Sequence, residues 1–211
     1  MSVQQGRLRL YQLNKMESKL PITREEAIKL LESMPQTQQD WNHYLSSEAI
    51  MKEIAKKLGE DEEYFGMLGL LHDVDWALTK TNKEEHCLKA AEILKEKGFD
   101  DKFIKTIQSH GYGYEEIPKL KEKKRTEKEE HALACAETIS GLIYAYALMR
   151  GKKIEDMEVK GLKKKFKDKK FAENCNREII KECELIGLNL EDFFKISIDA
   201  MKKIKDKIGL I

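Results

Sequence analysis

Six residues of this chain have side chains and spacing that suit metal-dependent chemistry. They are four of its five histidines and two carboxylates, namely His43, His72, Asp73, His86, His110 and Glu137. His72 and Asp73 directly follow an almost unbroken apolar run, residues 64–71, which is typical of a buried helix. A buried carboxylate is costly unless it is paired or binds a metal ion. Imidazole and carboxylate suit one or two divalent ions of Fe, Mn, Zn, Ni or Co, and do not indicate a thiolate site.

Each of these residues has a plainer interpretation when it is considered alone. A histidine such as His43, on the core-facing line of a predicted helix, is more often hydrogen-bonded than a ligand. His86 alone reads as a surface residue at a helix start, and Glu137 as a partner in a salt bridge. The set is more specific, because it lies on five predicted helices of one bundle. Inward-facing histidines and carboxylates are a standard way for bundle cores to hold metal ions.

Hydrophobic periodicity and capping signals predict an all-α fold in a single domain. Residues 1–20 show no clear period and are predicted to be a loosely attached segment. Residues 21–151 should form the core that carries the site, and residues 152–211 a C-terminal helical extension. We predict helices at about 21–33, 41–58, 61–73, 83–97, 100–110, 127–150, 155–167, 174–186 and 190–207.

Composition narrows the class of protein. The 39 Lys and Arg nearly balance the 38 Asp and Glu, so the net charge of +1 indicates neither a nucleic acid nor a membrane as partner. The four cysteines are scattered without a C-x-x-C motif, which is typical of reduced thiols in a cytoplasmic protein. We find no signal peptide, no apolar stretch suited to a membrane span, no glycine-rich phosphate loop and no serine nucleophile motif.

The adjacent pair His72-Asp73 after an apolar helix, with His43 upstream and an acid on a long Ala-rich helix downstream, resembles the HD superfamily of metal-dependent phosphohydrolases. The resemblance covers about residues 41–150, in the manner of a small bacterial hydrolase of this superfamily. His86 and His110 match its two-metal branch, as in HD-GYP-like phosphodiesterases and HD-type diadenosine tetraphosphate hydrolases. Residues 159–178 are similar to the C-terminal part of small bacterial HD proteins.

The resemblance implies a first metal ion held by His43, His72, Asp73 and Glu137. It implies a second ion held by His86 and His110, with Asp73 bridging. The predicted catalytic residues are His72, Asp73, Lys80 and Arg177; the last would neutralise phosphate charge together with nearby lysines. The chain departs from the family pattern at Glu137, where an aspartate is usual, so the carboxylate lies about 1.5 Å further out. It also has Asp75-Trp76 where HD-GYP proteins have Gly-Lys.

By this resemblance the chain should hydrolyse a phosphate ester or anhydride of a nucleotide or another small phosphorylated metabolite. Two alternatives remain open: an HD-type di-iron oxygenase, and a non-catalytic regulatory module that binds metal. The lysine-rich residues 160–170 are interpreted first as a solvated helix face and second as a rim that attracts phosphate. The expected partner is therefore a small phosphorylated molecule, without a membrane or a specific nucleic acid.

Overall fold

The computed structural model describes residues 20–211, and within that range the chain is all α-helical and has no strand. Most of the predicted loosely attached segment, residues 1–19, lies outside the described residues. Three short 3-10 helices supplement the α-helices, at Lys83–Glu85, Glu182–Ile186 and Lys205–Ile208. The α-helices are α1 (Arg24–Glu32), α2 (Gln38–Leu58), α3 (Glu62–Leu71), α4 (Trp76–Thr79), α5 (Leu88–Glu96), α6 (Asp101–Ser109), α7 (Lys128–Met149), α8 (Val159–Lys167), α9 (Arg177–Lys181) and α10 (Leu190–Lys203).

Helices α2 and α3 approach each other unusually closely at Gly69. A Cβ atom at this position would lie 2.6 Å from the carbonyl oxygen of Ser47 and 2.8 Å from the backbone nitrogen of Glu48. Only glycine allows the backbones of α2 and α3 to pack at this distance. The contact holds the end of α3, and therefore His72, against the face of α2 that carries His43.

Helix α7 is the central helix of the described fold. Its 22 residues satisfy the length and composition of a membrane span, which corrects the expectation that no stretch of the chain would do so. Burial inside the fold covers 67% of its most apolar window, as is common for the core helix of a globular domain. This helix carries Glu137 near its middle.

The C-terminal helices share one hydrophobic core with the helices before them. Leu162 and Phe166 of α8 and Phe194 of α10 are buried in that core, and the rings of the two phenylalanines are 5.2 Å apart. The chain end is tied to the loop after α7, because the Ile211 amide donates to the Lys152 carbonyl at 2.8 Å.

Several predicted helix boundaries are wrong, and the largest error is at Cys87. The predicted helix 83–97 is interrupted there, with a left-handed φ of 66°. The interruption has a cause elsewhere in the chain: the Asp75 carboxylate accepts from the Cys87 and Ala90 amides at 2.8 and 3.1 Å. Asp75 thereby caps α5, which begins only at Leu88.

The remaining differences are at helix ends. Helix α2 begins three residues before the predicted Trp41, because Thr37 and Asp40 form a capping box. Helix α8 begins at Val159 rather than near residue 155. The predicted helices 174–186 and 190–207 each end in a 3-10 turn, so their α-helical parts are α9 and α10.

Candidate metal centre

The carboxylate of Asp73 lies between two pairs of imidazoles. Its Oδ2 is 3.5 Å from His72 Nε2 and 3.7 Å from His43 Nε2. Its Oδ1 is 3.4 Å from His86 Nε2 and 3.2 Å from His110 Nε2. The fold therefore brings together five of the six residues singled out in the sequence, from α2, the end of α3, the break before α5 and the end of α6.

Backbone carbonyls fix the ring orientation of two of these histidines. His72 Nδ1 is 2.9 Å from the Gly69 carbonyl oxygen, and His110 Nδ1 is 2.6 Å from the Ile107 carbonyl oxygen. A carbonyl oxygen only accepts hydrogen bonds, so each Nδ1 must carry the proton. In the neutral imidazole this leaves the Nε2 lone pair free and directed at Asp73.

Side chains fix the other two rings in the same way. Ser140 Oγ donates its hydroxyl proton to the Glu137 carbonyl at 2.7 Å, so it accepts from His43 Nδ1 at 3.1 Å. His86 Nδ1 donates to Asp75 Oδ1 at 3.0 Å. A metal-binding histidine commonly has its second nitrogen held by a carboxylate or a carbonyl in this manner.

When all four imidazoles are neutral, as metal binding requires, their Nε2 lone pairs are crowded into two close pairs. His43 Nε2 is 3.0 Å from His72 Nε2, and His86 Nε2 is 3.1 Å from His110 Nε2. Two unprotonated nitrogens repel at such a distance unless a cation lies between them. Tetrahedral bonds of about 2.0 Å would put neighbouring ligand atoms about 3.3 Å apart, close to these separations. The residues present therefore fit a metal ion at each pair.

The pKa directions of the buried imidazoles differ between the two pairs. Burial lowers the pKa of the His72 imidazole to about 3, so it is neutral near pH 7. Burial alone would raise the pKa of Asp73, but the imidazoles of His72 and His110 hold it well below its usual value. Burial would lower the pKa of the other two imidazoles, but Asp75 raises that of His86 to about 10, and Cys87 and Asp73 raise that of His110 well above its usual value. Neutral imidazole and ionised carboxylate are the forms that ligate metals, so a metal ion bound at His86 and His110 would displace protons.

Comparison with known proteins agrees with this geometry. Residues 40–140 match the sequence model of the HD domain family, a range that contains all six residues singled out in the sequence. The match assigns residues 40–140, just under half of the chain, to the HD domain. Proteins with this domain are generally metal-dependent hydrolases, and the His and Asp cluster is compatible with a metal site.

One curated relative is a longer protein. The chain is 25% identical over 170 residues to ribonuclease Y of Sulfurovum sp. (strain NBC37-1). The match covers 79% of this chain but 32% of ribonuclease Y, so the chain spans about a third of that relative's length. No solved structure matches the chain significantly.

Glu137 lies beside the candidate metal centre without joining either imidazole pair. Its Oε1 accepts a hydrogen bond from Thr138 Oγ1 at 2.6 Å. Burial raises the pKa of its carboxyl above the usual value, although the imidazoles of His43 and His110 offset part of this rise. Among the described residues, the groups with ligand atoms within 4.8 Å of one another do not include it. Its role as a ligand stays a prediction.

Arg177 makes contacts that the sequence did not predict, and its predicted catalytic role stays a prediction. Every nitrogen of its guanidinium group donates to backbone carbonyls, which leaves little capacity to grip a phosphate. The acceptors are the carbonyls of Lys165, Phe166, Asp168, Phe171, Ala172 and Cys175. Arg177 therefore folds the segment after α8 around itself. Lys80, the other predicted basic residue, is exposed at the C-terminal end of α4.

Sequence reasoning missed Asp75, which is fully buried and holds both His86 and the start of α5. The signal was available in the pattern H-D-x-D, because a second acid two residues after a buried dyad also needs partners. The reasoning also missed Cys87, whose Sγ lies beside the His110 ring, 3.5 Å from Nε2 and 4.0 Å from Nδ1.

The segment between α6 and α7 is held next to the candidate metal centre. Arg125 donates to both oxygens of Glu182 at 2.7 and 2.6 Å, and to the carbonyls of Ser109 and Tyr112. Burial raises the pKa of the Tyr114 phenol, and the Glu137 and Asp73 carboxylates raise it further. Tyr114 therefore shares the electrostatic environment of the centre, on a segment tied to the C-terminal extension.

Proposed function

We propose that the chain is an HD-type hydrolase that uses divalent metal ions to cleave a phosphate ester or anhydride of a nucleotide or another small phosphorylated metabolite. The observation that carries this proposal is the position of the Asp73 carboxylate. One of its oxygens faces His43 and His72, and the other faces His86 and His110. A single carboxylate placed in this way suits a bridge between two cations.

The two cations would supply an acidified water molecule and positive charge for the phosphoryl oxygens. The protein residues perform the positioning. Gly69, Ile107 and Ser140 orient three of the imidazoles, and Asp75 orients the fourth through its carboxylate. Because these acceptors are fixed before any ligand binds, little reorganisation is needed when charge develops on the substrate.

Burial indicates the side from which the substrate would approach. The His72 side chain is 1% exposed and that of His110 is 5% exposed, whereas those of Asp73 and His43 are 14% and 28% exposed. The accessible edge of the site therefore runs along His43 and Asp73. A phosphate group would enter there, because the His72 and His110 side chains are almost inaccessible to water.

A second candidate is cleavage of a phosphodiester bond in RNA. It is supported by the similarity to ribonuclease Y over 79% of this chain. The chemistry at the site would be the same, because both reactions displace an oxygen from phosphorus. The two candidates differ in substrate size and not in the residues that position the metal ions.

Metal content and turnover test this function together. Protein purified without chelator should contain one or two transition-metal ions by elemental analysis and should hydrolyse at least one member of a panel of phosphomonoesters, phosphodiesters and nucleotides. D73A should lose both metal and activity, because its carboxylate faces both imidazole pairs. H131A is the matched control, since His131 is a histidine bound to Glu182 outside the pairs.

Three outcomes would contradict the proposal in different ways. Unchanged metal content in D73A would remove Asp73 from the metal centre. Full metal content without turnover on the panel would favour a regulatory module. Oxygen uptake with a substrate, together with inactivity under anaerobic conditions, would favour the di-iron oxygenase.

A further inference from the structure

The positive charge of this nearly neutral chain is concentrated after Gly161. Between residues 159 and 172 there are seven lysines and one aspartate. We call residues 160–170 the lysine segment. Lys163 is paired with Glu191 at 2.6 Å, and Lys165 lies over the ring of Phe171 at 4.9 Å. The other five lysines are exposed, namely Lys160, Lys164, Lys167, Lys169 and Lys170.

The lysine segment is held in a fixed shape by Arg177. The six carbonyls that accept from its guanidinium group lie between residues 165 and 175, so the chain curls around one cation. The guanidinium group satisfies carbonyls that a loop would otherwise leave to water. The lysines are therefore presented on an ordered backbone, which lowers the entropy cost of binding a ligand.

The same segment runs along α7 towards the metal centre. At its start, a Cβ on Gly161 would lie 2.5 Å from the hydroxyl oxygen of Tyr146. Just after its end, Cys175 Sγ lies 3.2 Å from the position of a Cβ on Gly141. Gly141 is one helical turn from Glu137, so both lie on one face of α7. The distance from Glu137 to Tyr146 along the helix is roughly 13 Å, at 1.5 Å per residue.

We propose that the lysine segment binds the phosphate backbone of a single-stranded oligonucleotide whose reacting phosphate lies at the metal centre. A fully stacked strand rises about 3.4 Å per nucleotide and an extended strand rises more, so roughly 13 Å spans at most about four phosphates. A mononucleotide at the centre would be too short to reach most of these lysines. This inference rests on the proposed phosphohydrolase function and specifies its substrate class.

Salt dependence of binding gives a quantitative test. The probe is a short fluorescein-labelled oligoribonucleotide with non-hydrolysable phosphorothioate linkages, and the affinity of the metal-loaded protein is measured by anisotropy between about 50 and 200 mM KCl. Each neutralised phosphate contributes about 0.7 to the slope of log affinity against log salt concentration for single strands. The variant K164A/K167A/K169A should therefore lose about 2 from the slope.

The control variant K56A/K95A/K97A removes the same charge from exposed positions at the ends of α2 and α5, and should keep the wild-type slope. Equal slopes in both triple variants would overturn the proposal. So would binding of anionic phospholipid vesicles, but not of the oligonucleotide, that depends on Lys164, Lys167 and Lys169. If the wild-type protein hydrolyses a small phosphate ester yet does not bind the oligonucleotide, the lysine segment does not bind a phosphate backbone, and the proposed hydrolase function stands. If it binds the oligonucleotide but hydrolyses no phosphate ester, the proposed function fails instead.

Discussion

The direction of each imidazole at the metal centre is determined by an acceptor behind it. Among these acceptors, Asp75 is distinctive because its two oxygens accept hydrogen bonds from different parts of the chain. Oδ1 accepts from His86 Nδ1, and Oδ2 accepts from the amides of Cys87 and Ala90. The same carboxylate thus orients a candidate ligand and starts α5. Loss of either task should change the affinity for the ion at His86 and His110.

We expect D75N to weaken binding of this ion by about 10- to 100-fold, the usual effect of removing a carboxylate behind a metal-binding histidine. The Asn side chain would direct its NH2 group either at the two amides or at His86 Nδ1–H, and both are donors. Competition with a calibrated chelator measures the affinity. D100N is the control, because Asp100 caps α6 outside the centre and Asn caps equally well. Equal affinities in D75N and D100N would contradict this role.

Residue identities and spacing were sufficient to predict that four histidines and Asp73 lie together, because a buried polar residue needs a partner wherever it lies. They were not sufficient to predict that Asp75 binds His86 or that Cys87 lies beside His110. Both depend on a turn in which the chain adopts a positive φ at a cysteine, which no periodic pattern encodes. The contacts of Arg177 were not predictable for a related reason, since its acceptors are carbonyls and leave no signal in the sequence.

At the scale of helices, the geometry of the centre depends on the contact between α2 and α3. Capping residues predicted one boundary of each helix: Asp61 caps α3, and Gly59 ends α2 with a φ of 72°. The start of α2 was predicted three residues late. The depth of their packing was not predictable, because it depends on which atoms face the missing side chain of Gly69. Those atoms belong to the backbone of Ser47 and Glu48.

We expect G69A to lower the free energy of unfolding by about 1–3 kcal/mol, the usual cost of overpacking. The added methyl group meets backbone atoms that cannot move without separating α2 from α3. G66A is the control on the same helix, because its methyl group would meet the flexible side chain of Lys52. Urea denaturation of both variants measures the difference. If G66A were as destabilising as G69A, the loss of stability in G69A could not be attributed to the close approach of the α2 and α3 backbones.

At the scale of the whole molecule, the C-terminal extension is attached to the segment next to the metal centre through Glu182. Its carboxylate accepts from Arg125 and from His131 Nδ1 at 2.6 Å. Burial would raise the pKa of the Glu182 carboxyl, but these two partners hold it below its usual value. The division predicted near residue 151, between the core and the C-terminal extension of one domain, therefore separates two parts that share a partly buried ion pair.

We expect E182Q to destabilise the protein by about 1–3 kcal/mol at pH 7, because a neutral amide replaces the charged acceptor of the partly buried Arg125 and His131. A carboxyl with a lowered pKa in the folded state stabilises above its unfolded pKa, about 4.3, and loses that contribution as the pH falls through the folded value. The difference in unfolding free energy between wild type and E182Q should therefore shrink below about pH 4.3. E184Q, at an exposed neighbouring position, should show no comparable difference. A difference that stays constant from pH 7 to pH 3 would contradict the role of the ionised carboxylate.

Arg177 connects the extension to the lysine segment, and its contribution can be separated from that of the metal centre. In R177K a single ammonium group with three donors replaces a planar group that reaches six carbonyls, so several carbonyls must turn to water. We expect amide hydrogen exchange to accelerate at least tenfold between residues 165 and 176, while α2, α3 and the metal content stay unchanged. R150K is the control, because Arg150 pairs with Asp156 on the surface. Unchanged exchange in R177K would mean that the segment holds its shape without Arg177. Loss of metal in R177K would mean that the extension supports the centre directly as well as the surface beside it.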